Sequence, residues 1–388
     1  MDFSFTKEQE LLRNMVREFV ERECPREYIR QIDERGEFPH DLWEKMSEAG
    51  LQGIAIPEEY GGAGGDVISQ VIVAEELAKS LAGLAWIWAT SSCFGGKSIG
   101  IYGTDEQKKL FLPKIARGEI KISISVTEPG GGTDVLGALS TFAEEKDDHF
   151  IINGTKMFTT GADVADYLLL LARTNRDVRK RSEGTSVFIV NAKSPGIQVR
   201  PIKTLGLRAF HTCEVVYENV RVPKENLLGE KDKGWQQFVA TLNNERVLLA
   251  GISIGIAKSV LQEAIEYAKK RYAFGRPIGQ YQAIQHYIAN IALEIEMAEL
   301  LTYKAAWLQD QGKWSESGLE STMAKIAASE TAIKAADRGI QILGGYGYTM
   351  EYDMQRFWRD ARIYAIGPIS NEMGRNYIAQ WLGLPRSY

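Results

Sequence analysis

The sequence predicts an α+β protein in three parts: an N-terminal helical domain over 1–120, a middle antiparallel β domain over 121–230, and a C-terminal four-helix bundle over 231–388. Apolar residues recur at helical spacing through the first third. From Lys121 the pattern switches to alternation, punctuated by Gly, Asn and Asp turns. From Lys231 it returns to helical spacing, in long runs joined by short loops, as a bundle requires. At 388 residues the chain suits two or three packed domains rather than one core.

The first helix is expected over 6–23. Thr6 and Gln9 form a Thr-x-x-Gln capping box, and Leu11, Leu12, Met15, Val16, Phe19 and Val20 follow at helical spacing. Similar stripes cover 39–49 and 69–82, with Gly61, Gly62, Gly64 and Gly65 marking the loop between them. In the middle region, Ile122, Ile124 and Val126 alternate with Ser123, Ser125 and Thr127, which predicts a strand with one buried face. Further strands are expected at 150–152, 167–172, 186–190, 197–202 and 214–217. Long helices are expected over 244–271, 282–311 and 319–343, the first closed by Gly275, Pro277 and Gly279, the second by Gly312.

Composition excludes several functions. Hydrophobic residues make up 44% and charged residues 25%, as in a globular protein. The net charge of -5 offers no basic field, so neither nucleic acid nor an anionic membrane is expected as a partner. Cys24, Cys93 and Cys213 are odd in number and far apart, which favours buried thiols over disulfides or zinc. His40, His149, His211 and His286 have no metal-ligand spacing, so no metal is expected. The Met-Asp-Phe-Ser-Phe start has no basic region before an apolar run, and no uncharged apolar stretch long enough to cross a bilayer was found. A cytoplasmic location is expected.

The stretch 126–134, VTEPGGGTD, directly follows a predicted strand. Its consecutive glycines let backbone approach a ligand, and their N–H groups can cradle a pyrophosphate. It is neither a dinucleotide GxGxxG nor a phosphate-binding GK[ST] loop, and by itself it reads equally as a β-turn.

Eight stretches in order carry a resemblance across essentially the whole chain: 125–134 (SVTEPGGGTD), 153–161 (NGTKMFTTG), 205–213 (LGLRAFHTC), 219–230 (NVRVPKENLLGE), 271–277 (RYAFGRP), 282–285 (QAIQ), 341–348 (QILGGYGY) and 356–362 (RFWRDAR). Together they resemble the acyl-CoA dehydrogenase family. The resemblance implies FAD held between the β domain and the C-terminal bundle. Ile124, Val126, Thr127, Gly132 and Thr133 would line one flavin face and reach the pyrophosphate. Phe158, Thr159 and Thr160 would cover the other side, where the family usually has Trp-Ile-Thr. Arg271, Phe274, Gln282, Gln341, Gly344 and Gly345 would bind the ADP half, partly in a neighbouring subunit, with Ser370 and Glu372 also near the cofactor. For the 341–345 segment, a helix C-cap and turn is the alternative. The resemblance further implies an acyl-CoA substrate, an electron-transfer flavoprotein as acceptor and a homotetramer.

It also implies a reaction: a carboxylate takes the proton α to a thioester carbonyl while a hydride leaves the β-carbon for the flavin. Most members carry that carboxylate in a Tyr-Glu-Gly-Thr segment after the Arg-Asp-Ala-Arg motif. Here the segment reads Ile366-Gly367-Pro368-Ile369-Ser370-Asn371-Glu372, with Pro368 at the position of the Glu. The second position, used by isovaleryl-CoA and long-chain members, is Glu245 within Leu242-Asn243-Asn244-Glu245-Arg246. Glu245 is the expected base; an apolar pocket would raise its pKa towards working pH. Its alternative role is a first-turn acid after an Asn cap. For Arg246, a substrate contact and a structural ion pair both remain open. In the family the backbone N–H at the Pro368 position donates to the thioester oxygen, and proline has none. Losing such a donor typically costs about 3 kcal/mol. Substrate contacts are expected from Phe94, Thr133, Asn243, Arg246, Gly367 and Pro368, with Gly367 opening room for branched or cyclic acyl groups. The reaction expected is dehydrogenation of a short, branched or cyclic acyl-CoA. Alternatives are an enoyl-CoA reductase or other thioester chemistry on the same fold, an oxidase, and a flavin-bearing DNA-binding relative, which the acidic balance disfavours.

Overall fold

The computed structural model describes residues 4–386, apart from the side chain of Trp314. The Met-Asp-Phe start and the last two residues of the chain lie outside it. Seven helices lead: α1 (Lys7–Glu23), α2 (Arg26–Arg35), α3 (His40–Glu48), α4 (Val67–Ala78), α5 (Ala82–Trp88), α6 (Gly96–Tyr102) and α7 (Asp105–Ala116). The Thr6–Gln9 capping box closes the start of α1, and Thr104 with Gln107 repeats it on α7. A π-helical turn, Ala89–Gly95, joins α5 to α6 and carries Phe94.

The middle region is one twisted sheet. Its strands are β1 (Ile122–Ser125), β2 (Phe142–Glu145), β3 (His149–Thr160), β4 (Tyr167–Arg173), β5 (Thr185–Asn191), β6 (Ile197–Ile202), β7 (Thr212–Pro223) and β8 (Leu227–Leu228), with a short helix α8 (Val135–Ala138) after β1. The order is β6-β7-β3-β2-β4-β5-β8, and β1 lies against β4. Most pairings are antiparallel, but β1–β4 and the β2–β4 contact are parallel. β1 does not have the single buried face its alternation predicts. Ser123 and Ser125 are as buried as Ile122 because their hydroxyls bond inward, to the Thr160 carbonyl at 2.9 Å and to the Tyr217 hydroxyl at 2.9 Å. Apolar packing covers both faces of the sheet, with Phe150, Leu168 and Phe188 on one side and Leu169, Leu171 and Ile189 against α7 on the other.

The C-terminal region holds α9 (Gly234–Lys270), the strand pair β9 (Tyr272–Ala273) and β10 (Arg276–Pro277), then α10 (Gln282–Asp310), α11 (Trp314–Leu343), α12 (Met354–Ala361) and α13 (Asn371–Trp381). By length and composition α9 could cross a bilayer, which the sequence reading did not anticipate. Here it is a core helix: Leu248, Ile252, Ile256 and Val260 are fully buried, as expected of a helix that is apolar all round. It packs on α4, α10 and α11, so the N-terminal helices and the bundle share one continuous core. Gly255 permits the α4 contact, since a Cβ there would sit 2.3 Å from the Glu75 carbonyl oxygen. The Arg-Asp-Ala-Arg motif locks this assembly. Arg359 pairs with buried Asp33 on α2 at 2.5 Å, Asp360 accepts from the Leu207 N–H at 2.7 Å, and Arg356 donates to the Ser80 carbonyl.

Candidate active site

A cavity runs between α9, α6 and the sheet. Glu245, Thr241 and Gln237 line it from α9 at intervals of four residues, so they stack on one helix face over about 12 Å. Phe94, Ser98 and Tyr102 form a matching ladder on the Ala89–Gly95 turn and α6. Ile124, Val126, Leu169, Leu171, Val187 and Leu228 supply an apolar wall. Tyr102 and Gln237 also border a shallow surface depression with Glu230 and Lys233, which gives the cavity its mouth.

Glu245 stands about three turns inside α9, because the helix begins at Gly234 and not near Asn244. The first-turn, dipole-complementing role is therefore excluded. The side chain is only partly accessible, and it lines the cavity. Its carboxylate has no hydrogen-bond partner among the described residues. Burial pushes its pKa up to about 7, with Arg246 and Lys325 holding it down. A carboxylate poised near neutrality beside an apolar wall has the properties of a general base.

Arg246 points away from the cavity face. It donates to Asn243 Oδ1 at 3.2 Å, and its guanidinium lies 5.7 Å from the Tyr377 ring on α13. No carboxylate lies within ion-pair reach of it among the described residues, so the structural ion pair is not formed. Asn243 is further tied to α10, its carbonyl accepting from Gln309 Nε2. The 366–370 loop comes close to α11: buried Lys325 donates to the Ile369 carbonyl at 2.6 Å and to Asn371 Oδ1 at 2.9 Å. Gly367 is half-buried, and a Cβ there would meet only the Trp86 ring, at 3.9 Å. Pro368 follows a cis peptide bond and is exposed. Ser370 caps α13 through the Met373 N–H, and Glu372 is exposed in its first turn.

The glycine loop is held from beneath. Glu128 accepts from the Ser140 and Thr141 N–H groups and from Lys156 Nζ at 3.0 Å; Lys156 also donates to the Val126 carbonyl at 2.8 Å. Burial alone would raise the Glu128 pKa, yet Lys156 and these donors carry it down to about 2. Burial lowers the Lys156 pKa, and Glu128 offsets part of that, so both groups stay charged at neutral pH. The pair leaves Gly132 and Thr133 exposed on the outer side of the loop, and the Thr127 carbonyl bonded to the Met157 N–H.

A register shift in β3 between Lys156 and Thr159 turns Phe158 outwards. Phe158 has φ of 61° and is 61% exposed. The same shift carries the Thr159 side chain inwards, 1% exposed and 3.3 Å from Ser125 Oγ. Thr159 therefore does not offer its side chain to a flavin face as the sequence predicted. Thr160 is half-buried, its hydroxyl 3.2 Å from that of Thr212.

The other predicted flavin residues gather elsewhere. Arg271 ends α9 with its guanidinium 5.8 Å from the Tyr346 ring, next to exposed Gly344 and Gly345 after α11. Gln341 and Gln282 are exposed on α11 and α10. Phe274 has φ of 51° and is 97% exposed. Among the described residues no hydrogen bond or ion pair joins this group to the Ile124–Phe158 surface. The predicted C-cap after α11 is present as well, at Gly344 with φ of 61°.

These surfaces fit a flavin. Ile124 and Val126 offer an apolar wall, and a Cβ on Gly132 would meet nothing within 4 Å, so an anion can approach the backbone there. Phe158 and Phe274, bulky residues at positive φ, are held out towards solvent, a strained arrangement typical of ligand sites. Among the described residues no cluster of metal-ligating side chains occurs, and the three cysteines are free and buried.

Sequence reasoning missed Lys156 and Lys325. Lys156 shares the inward face of β3 with Phe150 and Ile152. Lys325 sits in a buried stripe of small residues on α11, among Ser321, Ala324, Ala328 and Ser329. A lysine inside an apolar or small-residue stripe is the signal that marks both.

The acyl-CoA dehydrogenase N-terminal, middle and C-terminal domain models match residues 6–119, 123–220 and 232–383. The short-chain-specific acyl-CoA dehydrogenase of Clostridium acetobutylicum is 38% identical, covering 98% of this chain and 99% of its own length. The caffeyl-CoA reductase-Etf complex subunit CarC of Acetobacterium woodii is 39% identical, covering 93% and 94%. The solved butyryl-CoA dehydrogenase of Megasphaera elsdenii superposes with a TM-score of 0.94 at 33% identity, covering 99% of this chain and 100% of its own.

Proposed function

Because the chain belongs to the acyl-CoA dehydrogenase family, FAD-dependent oxidoreductases, we propose that it dehydrogenates a short, branched or cyclic acyl-CoA to the 2-enoyl-CoA with Glu245 as base. The observation that carries this is Glu245 itself: a carboxylate without a hydrogen-bond partner among the described residues, lining an apolar-walled cavity, with its pKa near 7. Ionised Glu245 takes the proton α to the thioester carbonyl, so the rate rises as pH passes about 7. Bound FAD supplies the hydride acceptor. Ile124, Val126 and Phe158 would flank its ring, Gly132 and Thr133 its pyrophosphate, with Arg271, Phe274, Gln282, Gln341, Gly344 and Gly345 of a second subunit on its ADP half. With substrate bound, the apolar wall would keep water from the reacting atoms, which strengthens charge interactions there. The space at Gly367 beneath Trp86 accommodates branching beside the acyl carbonyl.

An electron-transfer flavoprotein is the acceptor in this reading, in keeping with the Etf complex named for CarC. A homotetramer accords with the exposed apolar residues along α10, Leu293, Met297, Leu300 and Trp307, and with exposed Phe274. The reverse reaction on an enoyl-CoA is a second reading; the backbone donor missing at Pro368 slows both directions alike and does not choose between them. That CarC is named a reductase supports it.

One experiment separates these readings. Purified FAD-bound protein is mixed anaerobically with a panel of acyl-CoAs, and flavin bleaching is followed; then the reduced enzyme is offered enoyl-CoAs. Bleaching by short or branched acyl-CoAs is expected. Reoxidation by enoyl-CoAs without bleaching by any acyl-CoA would transfer the assignment to the reductase, and silence in both directions would overturn it.

A further inference from the structure

The loop between β4 and β5, residues 174–184, differs in charge from the chain around it. Over 173–183 the sequence carries Arg173, Arg176, Arg179, Lys180 and Arg181 against Asp177 and Glu183, in a protein of net charge -5. The loop is held in one shape. The Thr174 and Asn175 N–H groups both donate to the Gly184 carbonyl, at 2.8 Å and 3.1 Å, and the Glu183 N–H donates to the Lys180 carbonyl. Half-buried Arg173 turns its guanidinium inwards, donating to the Glu183, Arg181 and Leu136 carbonyls. Arg176 lies 4.3 Å over the Phe142 ring, and Arg181 pairs with Asp134 at 3.4 Å. Arg179 and Lys180 are exposed, and neither meets a carboxylate among the described residues.

Both ends of this loop are tied to the segment at the cavity mouth. Thr174 Oγ1 donates to Asp232 Oδ1 at 2.5 Å, Thr185 forms a β-bridge with Lys233, and the Trp235 N–H donates to Thr185 Oγ1 at 2.9 Å. Lys233 itself borders the mouth, together with Gln237. From Gln237 to Glu245 the cavity follows two turns of α9, about 12 Å. Resting on the reading of this cavity as an acyl-CoA site, a thioester held at Glu245 runs its pantetheine arm along that length, and its phosphates emerge beside Lys233 and the loop. Arginine and lysine are the side chains that best match phosphate. We propose that Arg179 and Lys180, with Lys233, form the site for the phosphate groups of coenzyme A. Arg181, paired with Asp134 next to the glycine loop, is already neutralised. The free cations therefore serve a second polyanion and not the flavin.

The test compares FAD-loaded wild type with the double variant Arg179→Gln, Lys180→Gln and with the charge reversal Arg179→Glu, Lys180→Glu. Calorimetric titration with CoA and with pantetheine, which lacks the phosphates, needs no turnover. At low salt the neutral variant should bind CoA about three- to tenfold more weakly than wild type, and the reversal more weakly still. Pantetheine binding should be the same in all three. Raising the salt should shrink the differences, as screening requires. For a bleaching acyl-CoA, KM should rise in the same order with kcat unchanged. Equal CoA affinity in the three proteins, or a loss for pantetheine as large as for CoA, overturns the proposal. So does loss of FAD from the variants with CoA binding intact, which would assign the loop to the flavin. Slower electron transfer to an acceptor protein with CoA binding intact also overturns it, making the loop a docking site. If no acyl-CoA bleaches wild type, the dehydrogenase reading fails by itself, and the CoA titrations still decide what the loop binds.

Discussion

Glu128 in the β domain and Glu245 in α9 are both carboxylates withdrawn from bulk water, yet they behave in opposite ways. Glu128 is surrounded by donors, the Ser140 and Thr141 N–H groups and Lys156, and its pKa falls to about 2. Glu245 has charge near it but no donor on it, and its pKa climbs to about 7. Burial pushes both upwards; at Glu128 the contacting Lys156 charge, with the hydrogen bonds from Ser140 and Thr141, overrides it. The β-domain carboxylate is spent on holding the glycine loop in shape, and the helix carboxylate is left free to accept a proton.

Breaking the helix side gives the largest expected effect. Glu245→Gln should lower flavin reduction by acyl-CoA on the order of 10³-fold while FAD stays bound, the middle of the usual range for a general base. Stopped-flow bleaching measures it, and activity within tenfold of wild type would remove Glu245 from that role. On the β side, Glu128→Gln leaves Lys156 buried without its counter-charge. A loss of about 3–5 kcal/mol of stability is expected, together with weaker FAD retention. Denaturant unfolding and the ratio of flavin to protein absorbance check it; a change below about 1 kcal/mol would mean the pair contributes little.

The third expectation sharpens the contrast through pH. The folded pKa of Glu245 lies above its ordinary 4.5, so the unfolded chain ionises first and folding stability is lost as pH climbs from about 4.5 to about 7. Glu245→Gln should therefore unfold at higher temperature than wild type at pH 8, a gain of roughly 2–3 kcal/mol, and match it near pH 4.5. Glu128 has the opposite sign: its contribution is present above about 4.5 and lost as pH falls towards about 2. Thermal melts of Glu245→Gln and wild type at the two pH values suffice, and equal melting at pH 8 would contradict an elevated Glu245 pKa.

Much of this was legible beforehand. The Thr6–Gln9 box starts α1 as expected, because capping is a contact between residues three apart. The strands at 167–172 and 186–190 appear as β4 and β5, their apolar runs long enough to be read directly. β2 and β8 carry no readable pattern: both are short, and β2 carries Glu144 and Glu145. The sequence pattern starts α9 only at Asn244, ten residues after Gly234, because Gly234 to Asn243 mixes Gln, Thr and Asn with Trp235 and Phe238 and shows no clean stripe. That boundary mattered, because it kept a helix-dipole role open for Glu245.

By itself the sequence determined the strongly patterned elements such as α1, β4 and β5, the glycine loop after β1, and the position of a carboxylate on α9, because each is written in residues near one another along the chain. Only the tertiary structure decided what those residues meet. The β3 register shift sent Phe158 out and Thr159 in. The α9–α11 packing set buried Lys325 within electrostatic reach of Glu245, and the sheet brought Lys156 under Glu128. Charge, burial and strain depend on partners distant in the chain, and spacing along a sequence does not specify distances in space.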